Sequence, residues 1–130
     1  MAQEALLDRH LQDGEELLRR LQVAQFDVSA ASWVRDDEGG LWSLYVASKN
    51  VDEQGLREAY GQCGKVLRAA SDLCIEPFDV KLMSPAHPMA KEIIKLNEPY
   101  PVKVYTRHRL REMGGMRMGE AHIYPPLTTA

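Results

Sequence analysis

The chain has little of what cofactor, redox and membrane proteins depend on. Its 130 residues include two cysteines, Cys63 and Cys74. Two thiols are too few for a disulfide framework or a four-ligand zinc site. No apolar run approaches the ~20 residues that a membrane helix needs. The stretch from Met1 to His10 lacks a basic segment followed by an apolar one, so it does not read as a signal peptide. A cytoplasmic protein with reduced thiols and no membrane contact is expected. Further absences concern chemistry. There is no Gly-rich loop ending in lysine, no dinucleotide fingerprint, no histidine pair at helical spacing and no calcium loop. There is no serine in a Gly-flanked elbow either. These gaps remove the usual marks of a cofactor or metal enzyme, and neither a cofactor nor a metal is expected. An enzyme built from scattered residues stays open.

A large charge excess is also missing, the formal net charge being −3. The charge is uneven, however. Residues 1–65 carry 12 acids and 7 bases, whereas residues 66–130 carry 7 acids and 9 bases. An anionic partner would therefore meet the second half of the chain.

What is present is a patterned core. At 45% apolar and 27% charged residues, the composition is that of one ordinary globular domain spanning 1–130. Leu7, Leu11, Leu18 and Leu21 recur at helical spacing within residues 3–25. Gly14 lies inside that helix, where it either splits it or permits a close approach. Phe26, Val28, Ala30 and Val34 alternate with polar or small residues. A Gly-ended turn at 36–40 and an apolar run from Leu41 to Ala47 then complete a hairpin. Trp33 and Trp42 flank the turn and are expected to pair across it. Asp52 reads as the N-cap of a helix running to Leu73, in which Gly55, Gly61 and Gly64 suggest close packing on a sheet. A third strand is expected at Phe78–Met83, a short helix from Pro88 to Leu96, a fourth strand starting at Val102, and a last strand from Met116 to Tyr124. Residues 125–130 read as a frayed tail. The expected fold is α+β: an antiparallel sheet of four to five strands, two main helices on one face, and a third short helix.

Two residue sets can carry function. The first is basic: Lys103, Arg107, Arg109, Arg111 and Arg117, with His108 interleaved and Glu112 as the one acid among them. Arginines at alternate positions share a face in a strand, and guanidinium groups match phosphate oxygens in bidentate fashion. Such a row suits nucleic acid or another anion, although a charged edge strand protected from pairing has the same pattern. The second set is Glu120, His122 and Tyr124, which period two places together. The carboxylate could orient the imidazole as a general base. The same positions also fit a solvated sheet face. His87 precedes a helix and reads as a capping residue or an anion contact, while His10 is expected to be exposed. Both cysteines read as structural.

The runs Phe26–Trp33 and Leu41–Ser48, the segment Val51-Asp52…Gly55…Arg57-Glu58-Ala59-Tyr60, and Met83-Ser84-Pro85…His87-Pro88 resemble a group of small uncharacterised bacterial cytosolic proteins. The resemblance implies a bacterial cytosolic accessory protein and carries no catalytic residues. Three functions are thus open: a non-catalytic module binding nucleic acid or a protein through the basic segment; a small hydrolase or phosphodiester-processing enzyme using Glu120, His122 and an arginine; and a homo-oligomeric scaffold. In the scaffold, Trp33, Trp42 and the methionines Met113, Met116 and Met118 would form a self-complementary patch.

Overall fold

Leucine spacing accounts for the first element. A computed structural model describes residues 8–36, 42–97, 106–109 and 118–124 of the chain, with 106–109 and 118–122 described by their backbone. Helix α1, Asp8–Val23, buries Leu11, Leu17, Leu18 and Leu21 along one stripe. It runs unbroken through Gly14. A Cβ at Gly14 would collide with the Tyr124 hydroxyl and lie 2.9 Å from Trp33 Nε1. Of the two readings of this glycine, close approach is the one realised.

Strand β1, Ala30–Asp36, pairs antiparallel with β2, Trp42–Ala47, from Ala30 opposite Ala47 to Arg35 opposite Trp42. The strand begins at Ala30 rather than Phe26, and residues 26–29 form an irregular lead-in that turns Phe26 into the core. Trp33 faces Leu44 across the hairpin and Trp42 faces Arg35, so the two tryptophans are diagonal neighbours and not a direct pair. Both are buried, at 1% and 7% exposure, which removes them from any exposed self-complementary patch.

The single helix expected over 52–73 is two helices. Ser48 caps α2, Lys49–Gln54, by accepting the Asn50 N–H. Gly55 then breaks the helix with a φ of 91°, a conformation that only glycine adopts without strain, and α3 runs from Leu56 to Ala69. Gly61 and Gly64 mark no close approach. A Cβ at Gly61 would meet nothing within 4 Å, and at Gly64 only the end of the Arg68 side chain at 3.5 Å.

A 3₁₀ turn at Pro77–Asp79 leads into β3, Val80–Met83, which pairs parallel with β2. The sheet is therefore mixed, not antiparallel throughout. The cause is the α2–α3 crossover, which returns the chain to the same end of the sheet before β3 begins. Helix α4, Pro88–Asn97, follows on the other face. Strands β4, Thr106–Arg109, and β5, Met118–Ile123, pair antiparallel, and β5 also pairs antiparallel with β1. The strand order is β3-β2-β1-β5-β4. Residues 102–105, where the fourth strand is expected to start, lie outside the described residues, as does the tail.

The result is an α+β domain with two core layers. On one face α1 and α3 pack against Trp33, Leu44, Val46, Leu82 and Tyr124. On the other, α4 covers Ala30, Val34, Ala47, Met83 and Ile123 with Met89, Ala90 and Ile93. Polar contacts fasten α1. Arg20 forks onto Asp72 beyond α3 at 3.0 and 2.9 Å and also reaches Glu16 at 2.8 Å. Asp13 accepts the Cys74 N–H at 2.9 Å. Hydrogen bonds from Arg19 and then Arg20 pull the Glu16 carboxyl down to about 2. Asp72 lies below its ordinary range because Arg20 bonds to it. Burial raises the Asp13 carboxyl, but the Cys74 N–H and Arg9 outweigh it and leave that group lowered as well. At the β3 edge, the Tyr60 hydroxyl accepts the Leu82 N–H at 2.9 Å, occupying a donor that an edge strand otherwise presents to other chains.

Candidate functional site

Strand register brings the two candidate sets together. In antiparallel pairs, residues directly opposite share a face. Arg35 on β1 is opposite Glu120 on β5, and Glu120 is opposite Arg109 on β4. One step along, Trp33, His122 and Arg107 form a second row on the same face. Arg107 and Arg109 of the basic segment and the Glu120–His122 pair are therefore one constellation. His108 is set apart, because it aligns with Ala121 and Val34 in a row of the opposite face. Lys103, Arg111 and Arg117 lie outside the described residues.

A bulge sits at this point. Arg35 pairs with Glu120 but Asp36 pairs with Met118, so Gly119 is the additional residue on β5. Bulges bend a strand and re-aim the side chains beside them, and they concentrate near functional sites. On β1, the Arg35 guanidinium lies 5.5 Å from the centre of the Trp42 ring, within cation–π range. Sequence reading misses Arg35, because simple alternation assigns it to the solvent side of a half-buried strand. In fact every residue from Ala30 to Val34 is buried, since both faces of β1 are covered.

The third member of the expected trio has a different setting. Tyr124 is 2% exposed; its hydroxyl donates to the Leu11 carbonyl at 2.7 Å and accepts from Trp33 Nε1 at 2.9 Å. The phenol thus lies inside the joint between α1 and the sheet, and not on a solvated sheet face. His10 is not exposed as expected. Its ring stands edge-on to Trp33, with centroids 5.8 Å apart, and its Nδ1 is buried without a partner among the described residues.

Elsewhere, His87 is a cap. Its Nδ1 accepts the Met89 N–H at 3.0 Å at the start of α4. Burial pushes both thiols up to about 11, with the Asp13 carboxylate adding to the effect at Cys74. Both stay protonated at neutral pH, which makes them poor nucleophiles. An open cleft of about 500 Å³ is lined by Gln22, Gln25, Phe26, Asp27, Val28, Ser29 and Lys49. Asp27 organises its wall by accepting the Ser29 hydroxyl at 2.8 Å and the Lys49 N–H at 3.0 Å.

Among the described residues, no three His, Cys, Asp or Glu side chains are grouped to hold a metal ion, and no helix is long and apolar enough to cross a membrane. Comparison with protein-family models, curated proteins and solved structures finds no match to this chain. Functional reasoning therefore rests on the constellation itself.

Proposed function

We propose that this protein is a non-catalytic binding module that engages nucleic acid through the β4–β5 side of its sheet. One observation carries the reading: three arginine positions on the two strands that flank β5, Arg35 on β1 and Arg107 and Arg109 on β4, share one face around a single acid on β5, Glu120. The chain as a whole is acidic, so this is a local departure from its average. Arg111, Lys103 and Arg117 flank the same segment in sequence and extend its positive charge. Phosphates bind such arrays in a salt-dependent way, because each neutralised phosphate releases counterions. A cytosolic accessory role, as in the bacterial proteins the sequence resembles, agrees with binding rather than turnover.

The test is a titration of labelled single- and double-stranded DNA and RNA across a salt series. Affinity that falls steeply with salt and is lost in the Arg107→Ala/Arg109→Ala/Arg111→Ala variant supports the reading. Unchanged affinity in that variant, or no binding at low salt, rejects it. A second reading, a phosphodiester-processing enzyme, is favoured by one particular: His122 stands two residues from an acid flanked by two arginines. Turnover of a chromogenic phosphodiester that disappears with His122→Ala would replace binding by catalysis.

A further inference from the structure

Arg35 and Glu120 raise a question of charge. A carboxylate at the centre of an anion-binding face weakens it by repelling the ligand and competing for the guanidinium groups. Here that carboxylate has an arginine position on each side, at one strand spacing. Only one of the two, Arg109, lies on the outer strand that a long anionic ligand reaches first. The other belongs to an inner strand and is held by Trp42, whose ring lies 5.5 Å from its guanidinium carbon. Stacking on an aromatic ring fixes the plane of a guanidinium and lowers the entropy lost when it meets a carboxylate. The Gly119 bulge falls beside Glu120, in the same register step.

We infer that Arg35 is a positioning residue for the anion-binding face: its charge offsets that of Glu120, so that Arg109 and Arg107 remain available to phosphate. The inference rests on the binding role proposed above and adds to it a division of labour among the arginines. Arg35 serves the site from an inner strand, where Trp42 holds it, and Arg107 and Arg109 on the outer strand meet the ligand. The ligand class that fits is a chain of phosphodiesters and not a single small anion, because the two outer arginine positions follow an edge strand.

The test is a set of variants read by the same salt-dependent nucleic-acid titration. Arg35→Ala is expected to lower affinity about tenfold, the scale of one charge-assisted hydrogen bond. It should also reduce the salt slope by about 0.7, the equivalent of one phosphate contact to a single strand, as the Glu120 charge is left to Arg109 alone. Adding Glu120→Gln to that variant should restore both affinity and slope, a recovery that mere loss of packing would not give. Should Arg35→Ala fail to fold, Glu120→Gln alone decides: it is expected to raise affinity two- to threefold, and a loss of affinity overturns the inference. Wild-type binding with no effect of Arg35→Ala, or no rescue by the double variant, overturns the inference and leaves the binding role standing. Absence of wild-type binding removes both.

Discussion

The two faces of the sheet are built by different rules. On the α4 side the contact is made of small and flexible apolar groups, chiefly Ala30, Ala47, Ala90, Met83, Met89 and Ile93. On the α1 side, large residues are joined by directed polar contacts: Trp33 to Tyr124, Tyr124 to Leu11, Arg20 to Asp72 and Asp13 to Cys74. The first kind of contact depends on volume and tolerates imprecision in angle. The second depends on angle and on charge, and it holds α1 in one place relative to the strands that carry the candidate site. The functional constellation is thus placed on the face where position is more tightly specified.

Four experiments would break or sharpen this contrast. The largest effect is expected on the α4 side, where Ile93→Ala removes a fully buried side chain. Chemical denaturation should show a loss of about 2–5 kcal/mol that is independent of pH. Gly14→Ala on the α1 side comes next. Helix propensity favours alanine by about 1 kcal/mol, but its methyl group would collide with a hydroxyl that is bonded on both sides. A net loss of about 1–3 kcal/mol is expected, and a gain would show that α1 slides freely on the sheet. Tyr124→Phe preserves volume while leaving the Trp33 N–H unpaired and removing the second hydrogen bond to the Leu11 carbonyl, for about 1–3 kcal/mol. Its melting temperature should fall with little change in m-value. The smallest effect is that of acid. Glu16 is lowered from its ordinary 4.5 to about 2, and Asp13 and Asp72 are lowered too. Groups held below their unfolded values stabilise the fold fully above those values, and that contribution fades as pH falls through the folded ones. Thermal stability should therefore decline between about pH 4.5 and 2. Glu16→Gln with Asp72→Asn should flatten the decline, and added salt should shrink it, since Asp72 is exposed and Glu16 partly so.

The parts of this fold that are legible in the sequence are those governed by local rules. Leucine periodicity marks α1, alternation and the Gly-ended turn mark the hairpin, and Pro88 opens α4. Local reading fails where a partner distant in sequence decides. Arg35 looks solvent-facing because its own strand cannot show that Trp42 on β2 lies beside it and that β5 pairs on its other side. The parallel pairing of β3 follows from the long α2–α3 crossover, a signal visible in the spacing between strands but outweighed by the hairpin before it. Gly55 reads locally as close packing, whereas its positive φ marks a break. Ser48, and not Asp52, caps the helix before that break, because the helix starts one turn earlier than its apolar stripe suggests. For the site, residue types and their period-two spacing are readable. The register that merges the basic and Glu–His sets, and separates His108 from both, is not.

The hydrogen bond between Tyr124 and Leu11 joins positions 113 residues apart. During synthesis, α1 leaves the ribosome first, with a glycine notch and a carbonyl shaped for a side chain that does not yet exist. Until residue 124 emerges, the leucine stripe of α1 has the strands and α3 to pack on but not the phenol that fixes its position. The glycine notch of α1 and the phenol that fills it are thus made at opposite ends of the domain's synthesis.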